Sequence, residues 1–502
     1  MLILIVQCLL SIALVGVLTK LFTKTDLDNI PGPKSESLVK GNFGQLFSVS
    51  AWNFNAKIAA QCNVFFPYNT HSNLNESQHL YLFDPKAMHH IIVKDQTLYE
   101  ETEAFFAANN LLFGCGLTST QGDHHKKQRK LLNPVFSTVH MRHMSKGLTL
   151  LINSPPATSK LLFQREYILP TVVKIGSPQF RRWLLDLLPF RSLRTIRDMI
   201  DILDRTTTEI YETKKQAMKE GVTPPKQSSE AKDLISILMK ANIEAPEEDR
   251  LPDKEVLAQM SLFVFAATDT TSNALSRTLH LLAMNPEIQD KLRVEVTEAL
   301  KEHNGDIPYD DLVSLPFMDA VCRETLRLYP PAPRVMRVHV LLSRARKDMI
   351  LPLSTPVKGL DGREMQSILV PKNTKIFISI FNANRDPLLW GPDSLEWKPE
   401  RWLSPLPEAV HDVLTIRSNV EGGLISLSMT FLGGGRACIG FEFSQLEMKV
   451  VLSMLIANFR FFPPEKEIIW KMTPVTTPTV AESPAYPQLP LKMEVISPKP
   501  VL

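Results

Sequence analysis

The sequence has few cysteines and no surplus of charge of either sign. Its 502 residues include 5 cysteines, which are scattered and form no CxxC pair. This excludes a disulfide framework and a cysteine-knuckle metal site, and a reducing compartment is the simplest inference. Basic side chains number 56 against 53 acidic ones, for a formal net charge of +3. Since there is also no basic stripe with interleaved aromatic residues, we do not expect nucleic acid as a partner.

Glycine is scarce relative to proline, with 20 glycines against 37 prolines. In an average globular protein glycine is the commoner of the two. A hydrophobic content of 44% with 22% charged residues still allows a large core, which excludes a disordered, collagen-like or coiled-coil chain. Proline fixes φ and disfavours helix in the residue before it. Prolines concentrate at 31–33, which is therefore predicted to be a stiff, non-helical hinge, and over 330–440, which is predicted to be irregular chain with short strands.

The first 19 residues carry no charged side chain. At about 1.5 Å per residue, a helix of this length nearly spans a hydrocarbon core of about 30 Å. The basic start and small-residue cleavage site of a secretory signal peptide are missing. We therefore expect a retained transmembrane anchor at 1–22 and a proline-containing hinge at 23–40. A cleaved signal peptide and a buried helix are the alternatives.

The basic residues that flank the apolar segment predict its orientation. Lys20 and Lys24 lie just after it, so the positive-inside rule places the rest of the chain in the cytosol. Glycosylation needs a lumenal loop, and the sequon at Asn75 is therefore expected to stay unmodified.

Helical periodicity dominates the body of the chain, and strand-like stretches are short. Helices are predicted at 85–94, 193–220, 230–242, 253–284, 286–303, 311–328 and 441–459. Short strands are predicted at 79–83 and 376–380. The pattern indicates a mainly α protein with small β-sheets, of the α+β class.

The sharpest motif is Phe431-Leu-Gly-Gly-Gly-Arg-Ala-Cys-Ile-Gly440, directly before a predicted helix. Three consecutive glycines cost backbone entropy, which suggests a main chain that passes close to a flat or bulky group. A cysteine at a helix N-terminus is favoured as a thiolate. One thiolate without further ligands is poor for zinc and suits one axial position on a haem iron. The alternative is a buried free cysteine. It is disfavoured because Phe431, Gly434 and Arg436 stand at fixed sequence spacings from Cys438.

Glu324 and Arg327 lie three residues apart in a predicted helix, so they share one face. Such a pair is usually a solvated surface bridge of small energetic value. Apolar neighbours such as Val321 and Leu326 indicate burial instead. Because buried charge requires further partners, we expect a third residue, and Arg401 is the candidate.

The predicted helix 253–284 joins an apolar centre to a polar segment. Residues 260–267 are apolar on nearly all sides and are expected to be buried. Residues 268–273 follow without a break and include Asp269 and Thr270. An acid beside an alcohol in a buried groove can relay protons, whereas a solvated polar segment is an equally open alternative.

His125 and Arg129 lie four residues apart in a basic run and share a helix face. The simplest interpretation of the run is a solvated surface. The functional alternative is a clamp for an anionic group such as a carboxylate.

Together these motifs resemble those of the cytochrome P-450 family of haem-thiolate monooxygenases. The resemblance covers the haem loop at 431–440, the Glu-x-x-Arg helix at 324–327, the oxygen-activating helix at 266–270 and the Pro-Glu-Arg segment at 399–401. Order and spacing also match, over roughly residues 31–495. The wider sequence is similar to membrane-bound fungal members. The resemblance implies a triangular, helix-rich haem domain at 41–502, behind an N-terminal transmembrane helix.

The resemblance also implies roles for individual residues. Cys438 would be the axial ligand of haem b, within a loop that includes Phe431 and Gly434. Asp269 and Thr270 would deliver protons during dioxygen activation. The haem propionates would be bound by Arg436, Arg337, Arg129 and His125. A structural triad would be formed by Glu324, Arg327 and Arg401.

The function that the resemblance implies is a monooxygenase of the endoplasmic reticulum membrane, single-pass, with its catalytic domain in the cytosol. Electrons would come from NADPH through an NADPH-cytochrome reductase. A lipophilic small molecule would be the substrate, such as a terpenoid, a steroid or an aromatic xenobiotic, in secondary metabolism. A haem-thiolate isomerase or dehydratase and a non-catalytic relative are the alternatives.

Three features depart from the family pattern. His125 stands where the family usually has tryptophan. The stretch 147–175 is short where two or more long helices are expected, which predicts a truncated helical layer. Segments 338–345 and 420–426 look like inserts beside haem-binding segments. These departures bear on stable folding and activity rather than on ancestry.

Overall fold

The computed structural model describes residues 26–33, 36, 42–62, 65–69, 78–137, 173–187, 191–220, 233–339, 349–410, 428–484 and 486–496. The predicted anchor at 1–22, the sequon at Asn75 and the insert at 420–426 lie outside these ranges, as do most of 147–175 and of 338–345. Within the described ranges, no helix has both the length and the hydropathy to cross a membrane.

Part of the predicted hinge packs on the body of the protein. Asp26–Asn29 forms a single 3₁₀ turn, and the side chains of Leu27 and Ile30 are buried in the core. The carbonyl of Asn29 accepts a hydrogen bond from the Leu360 amide at 2.8 Å. Residues 26–30 are thereby attached to a β-hairpin far along the chain.

Helices make up most of the described structure, as the periodicity predicts. In chain order they are α1 (Phe43–Leu46), α2 (Trp52–Cys62), α3 (Pro85–His89), α4 (Glu103–Phe113), α5 (Gly122–Leu132), α6 (Pro178–Leu187), α7 (Arg191–Lys219), α8 (Leu234–Glu244), α9 (Asp253–Met284), α10 (Pro286–Glu302), α11 (Tyr309–Ser314), α12 (Pro316–Leu328), α13 (Ile380–Ala383), α14 (Pro387–Trp390) and α15 (Phe441–Asn458). The predicted helix 311–328 is wrong in one respect, because it is split into α11 and α12. Pro316 has no N–H to donate and begins the second helix.

The strands form one five-stranded sheet and three small pairs. They are β1 (Phe65–Asn69), β2 (Gln78–Leu82), β3 (Tyr99–Glu100), β4 (Arg334–His339), β5 (Met349–Lys358), β6 (Glu364–Val370), β7 (Lys375–Ser379), β8 (Phe459–Phe462), β9 (Ile468–Lys471), β10 (Thr477–Val480) and β11 (Lys492–Val495). The large sheet has the order β1-β2-β7-β4-β3, and the pairs are β5-β6, β9-β10 and β8-β11. Within the large sheet β2 and β7 are parallel, and the expected strands at 79–83 and 376–380 are confirmed as this pair to within a residue.

The long helix α9 connects two separate hydrophobic clusters. Near its start, Val256 and Met260 pack with residues of α5 and α8. Near its end, Ala274 and Leu282 pack with α10, α12 and α15. The expectation that the whole segment 260–267 is buried is wrong, since Val264 is 37% exposed and Phe265 is 41% exposed. The middle of α9 lies between the two clusters, and the side chains of the described residues leave this face partly exposed.

A buried ion pair in α12 determines how the chain packs ahead of the Cys438 loop. The side chains of Glu324 and Arg327 are both 0% exposed. Arg327 donates from Nε to Oε2 and from Nη2 to Oε1 of Glu324, each at 2.8 Å. Arg401 donates from Nε to Oε1 at 3.3 Å, and Trp402 donates from Nε1 to Oε2 at 2.9 Å. The charges are therefore buried but multiply hydrogen-bonded.

The same arginine connects this pair to the segment that leads into the Cys438 loop. Nη1 of Arg327 donates to the carbonyl oxygen of Asn384 at 2.8 Å. The side chain of Asn384 then accepts from the Met429 amide at 2.8 Å and donates to the Thr430 hydroxyl at 2.9 Å. The Thr430 hydroxyl in turn donates to the Leu326 carbonyl at 2.7 Å. Helix α12 thus positions the first residues of the loop directly.

We predict that Glu324→Gln destabilises the protein strongly, because it leaves the Arg327 charge buried without its counter-charge. Breaking a buried pair in this way typically costs about 3–5 kcal/mol. The matched control is Glu400→Gln, which removes the exposed partner of Lys291 in the neighbouring segment and is expected to cost less than about 1 kcal/mol. Urea unfolding followed by circular dichroism measures both. Equal unfolding midpoints for the two variants would contradict the prediction.

Candidate active site

Cys438 lies in a tight loop directly before α15. The loop comprises two 3₁₀ turns, Met429–Phe431 and Gly434–Arg436. The Cys438 amide donates to the carbonyl of Phe431 at 2.9 Å, which closes the loop. The cysteine is exposed, and Gly440 is the N-cap of α15. The orphan N–H groups and dipole of a helix N-terminus favour negative charge, so this position suits a thiolate.

Gly434 is required by a close approach within the protein. Its φ is +64°, and a Cβ at this position would lie 2.3 Å from the carbonyl oxygen of Ile92. Ile92 belongs to a π-helical turn, His90–Lys94, that continues α3. The next residue, Gly435, donates its amide to Oε1 of Gln96 at 2.7 Å. The glycines of the loop therefore allow it to pack against this turn, a neighbour that the sequence did not indicate.

Phe431 supports the loop from its other end. Its ring meets the ring of Phe441, the first residue of α15, edge to face with centroids 4.7 Å apart. Such an arrangement is favourable because the positive edge of one ring faces the negative face of the other. Phe431 thereby connects the start of the loop to the helix that follows it.

Basic side chains gather beside the loop. Arg436 donates from Nη2 to Oε2 of Glu100 at 2.8 Å and to the Thr120 carbonyl at 3.0 Å. Its Nε is buried and has no hydrogen-bond partner among the described residues. Arg129 of α5 donates from Nη1 to the carbonyl of Ala437 at 2.7 Å. An orphaned guanidinium N–H among converging cations is a place where an added anionic group would be stabilised.

His125 lies in the same group but is not a cation. It is 6% exposed, and burial, together with Arg436 and Arg129, lowers its pKa to about 3. The imidazole is therefore neutral near pH 7 and offers one N–H donor. The solvated-surface interpretation of this basic run is wrong for His125, because α5 turns it inward.

Arg337 lies on β4 and forms a buried ion pair with Glu101. The distance from Nη1 to Oε2 is 2.6 Å, and the two side chains are 2% and 10% exposed. Burial raises the pKa of Glu101, while Arg337 and Arg436 act in the opposite direction. Glu100 and Glu101 are thus the carboxylates that balance Arg436 and Arg337 in this structure. Sequence reasoning missed both, because their partners are more than 200 residues away and the acidic run resembles a solvated loop.

Asp269 and Thr270 lie in α9, just after the exposed apolar stretch. The Thr270 hydroxyl donates to the Ala266 carbonyl one turn earlier at 2.8 Å. Asn273 donates to the carbonyl of Asp269 at 2.7 Å and approaches Oδ1 of Asp269 at 3.5 Å. Both Asp269 and Thr270 are half-buried. The segment is therefore neither fully solvated nor sealed, and an acid and an alcohol are consecutive residues in a partly exposed part of α9.

A carboxyl group of α15 reaches the same part of α9. Burial raises the pKa of Glu447 to about 7, and the nearby hydroxyl of Thr271 opposes this shift. Its Oε2 is buried without a hydrogen-bond partner among the described residues. Sequence reasoning missed this group, although an acidic residue within the apolar run of 441–458 was a usable signal.

These residues fit a flat apolar cofactor that bears carboxylates. An exposed cysteine at a helix N-terminus would supply a thiolate ligand, and the orphaned Nε of Arg436 would donate to a carboxylate. Val264 and Phe265, which are partly exposed among the described residues, would offer apolar surface to such a cofactor. The geometry thus agrees with a haem held by its thiolate ligand and by basic side chains.

Comparisons with known proteins agree with this geometry. The family model for Cytochrome P450 matches residues 170–341 and 345–485. The chain is 42% identical to cytochrome P450 monooxygenase 91 of Postia placenta, over 95% of this chain and 96% of the relative. It is 35% identical to ganoderic acid synthetase CYP5150L8 of Ganoderma lucidum, over 94% and 95% of the two chains. Members of this family bind haem through a cysteine thiolate. The chain belongs to the cytochrome P450 family and is a monooxygenase of that family.

Proposed function

We propose that this protein uses haem b to insert one atom of O₂ into a lipophilic small molecule, with electrons from NADPH delivered by an NADPH-cytochrome reductase. The observation that carries the proposal is the exposed Cys438 at the N-terminus of α15, with the orphaned Nε of Arg436 beside it. An iron-bound thiolate donates electron density and favours cleavage of the O–O bond.

Residues of this chain would hold the cofactor from three sides. Cys438 would supply the thiolate ligand, and Phe431 and Gly434 shape its loop. The carboxylates of the cofactor would be bound by Arg436, Arg129, Arg337 and neutral His125. Binding would require Arg436 and Arg337 to share their charge with Glu100 and Glu101, which now pair with them. Glu100 and Glu101 lie among several cationic side chains. These cations would also stabilise the added negative charge of the cofactor carboxylates.

Asp269 and Thr270 are proposed to move protons to the reaction centre. The Thr270 hydroxyl is held by the Ala266 carbonyl, so its oxygen keeps lone pairs available to accept a further hydrogen bond. The half-buried carboxyl of Asp269 would exchange protons with solvent and pass them to that hydroxyl. A haem-thiolate isomerase or dehydratase has no need of such a relay, which is why the monooxygenase is favoured.

The apolar middle of α9 supports a lipophilic substrate. Phe265, on its exposed face, lies against Phe113 of α4 with ring centroids 5.1 Å apart. Aromatic and aliphatic side chains of this kind bind substrates by burial rather than by hydrogen bonds. Terpenoids, steroids and aromatic xenobiotics are therefore the substrate classes to screen, and secondary metabolism is the proposed context.

We also propose that residues 1–22 anchor the protein in the endoplasmic reticulum membrane, with the catalytic domain in the cytosol. The uncharged stretch of 19 residues and the following Lys20 and Lys24 support this. A chain that lacks residues 1–22 is expected to move from the microsomal to the soluble fraction. If both chains fractionate alike, the anchor is refuted.

We predict that the reduced carbon monoxide complex of the full-length protein shows a thiolate-type absorption band. The Cys438→Ser variant is expected to lose this band, because an alcohol does not replace the thiolate. Cys115→Ser changes another exposed cysteine and serves as the matched control that keeps the band. Absence of the band from folded wild-type protein would refute the monooxygenase and leave a non-catalytic relative. If the band is present but product forms without NADPH and reductase, the enzyme is an isomerase or dehydratase.

We predict that Thr270→Ala uncouples oxygen consumption from product formation, since the proton relay is broken. Product per NADPH consumed should fall and hydrogen peroxide should rise. General acid–base groups typically contribute roughly 100-fold or more to a rate, which sets the scale of the loss in product formation. Thr268→Ala is the matched control, because Thr268 makes the same bond to the carbonyl one turn earlier, at 2.8 Å to Val264. Equal coupling in the two variants would remove Thr270 from the proposed role.

A further inference from the structure

Three potential metal ligands meet where the connection between α4 and α5 lies beside the starts of α5 and α9. Cys115 lies in the connection between α4 and α5, His124 in the first turn of α5, and Glu255 in the first turn of α9. One ligand atom from each lies within 4.8 Å of the other two. Nε2 of His124 is 3.1 Å from Oε2 of Glu255. These residues are up to 140 positions apart in sequence, so the fold itself creates the cluster.

A buried amide supports the cluster from behind. Gln128 is 0% exposed, and its Nε2 donates to Oε2 of Glu255 at 2.7 Å and to the carbonyl of Cys115 at 3.0 Å. Its Oε1 accepts from the hydroxyl of Thr120 at 2.8 Å, which fixes the orientation of the amide. Metal sites characteristically have such outer hydrogen bonds, which orient the ligands. The cluster is therefore a built arrangement and not a chance meeting of surface side chains.

The donor set suits zinc. Thiolate sulfur, imidazole nitrogen and carboxylate oxygen are the ligand types that Zn²⁺ takes, usually in a tetrahedron. Ligand distances of about 2.0–2.3 Å place the donor atoms of such a site about 3.3–3.6 Å apart. Cys115 and His124 are both exposed, so small side-chain rotations would close the present separation.

The local charge also favours a cation. Among the described residues, the ion pair of Glu255 is with His124, while nearby Lys126 and Lys130 pair with Asp123 and Asp249. Neither of these lysines pairs with the Glu255 carboxylate, whose negative charge a divalent cation would balance.

We propose that Cys115, His124 and Glu255 bind one Zn²⁺ ion, with water as the fourth ligand. The ion would fasten the start of α5 to the start of α9. Helix α5 also carries His125 and Arg129 to the Cys438 loop, and α9 carries Asp269 and Thr270. Zinc would therefore stabilise the relative positions of the two helices that supply both groups. The site does not depend on the proposed reaction and is tested separately from it.

The first test measures zinc in the purified full-length holoprotein. After equilibration with ZnCl₂ and gel filtration, elemental analysis is expected to give one zinc per haem iron. Cys115→Ser and Glu255→Gln should each weaken zinc binding by at least about 10-fold, since even outer-sphere changes have effects of that size. His303→Ala is the matched control, because it alters another surface histidine beside a carboxylate, Asp311 at 3.5 Å, and should leave zinc binding unchanged. The iron content of each variant reports whether it is folded.

The second test identifies the ligand directly. Alkylation of Cys115 by iodoacetamide, followed by peptide mass spectrometry, is expected to slow at least about 10-fold when ZnCl₂ is present. In His124→Ala the protection should disappear, although Cys115 itself is unchanged. Equal alkylation of the wild type with and without zinc overturns the proposal. Zinc content that is the same in wild type, Cys115→Ser and Glu255→Gln also overturns it, because the bound metal would then lie elsewhere.

Discussion

The carboxylate of Glu324 is completely shielded from solvent, and the placement of the Cys438 loop depends on it. Five donors converge on its two oxygens: two from Arg327, the Lys398 amide, Arg401 and the Trp402 indole. A charge removed from water loses several kcal/mol of hydration, and one ion pair seldom restores it. Only a complete set of hydrogen bonds makes the burial tolerable. The position of the Glu324 carboxylate is consequently constrained. The same holds for the groups that hydrogen-bond to Arg327.

A short series of hydrogen bonds connects Arg327 to the Cys438 loop. Arg327 holds Asn384, Asn384 holds Met429 and Thr430, and the next residue, Phe431, accepts the hydrogen bond of the Cys438 amide. On the opposite side of the loop, Gly434 packs against the π-helical turn without room for a side chain. The loop is thus held between α12 and the turn after α3. Main-chain contacts of the loop thereby position Cys438 just before the N-terminus of α15.

Local pattern was sufficient to predict the helices α7, α8, α9, α10 and α15, the paired strands at 79–83 and 376–380, and the position of Cys438 before a helix, but it did not predict α2, α4 or α6. Periodicity and helix-terminal chemistry act over a few residues, so one sequence contains that information. The sequence did not predict the exposure of Val264 and Phe265, because hydrophobicity indicates burial but not which group covers the side chain. Nor did it contain the partners of Arg436 and Arg337. Glu101 meets Arg337 where β3 pairs with β4, and Glu100 meets Arg436 of the Cys438 loop. A single chain carries no signal for contacts between such distant segments.

The order in which the site is built along the chain has a consequence for how the protein is made. Gln96 and Arg129 leave the ribosome early, Asn384 much later, and Cys438 with α15 later again. Strand β11, which pairs with β8 at the end of α15, follows them. The first helices must therefore wait, partly folded and with apolar surface uncovered, until these segments have been made. Haem capture in consequence cannot precede the synthesis of α15, and a chain truncated before Cys438 would contain much of the scaffold but no ligand for the iron.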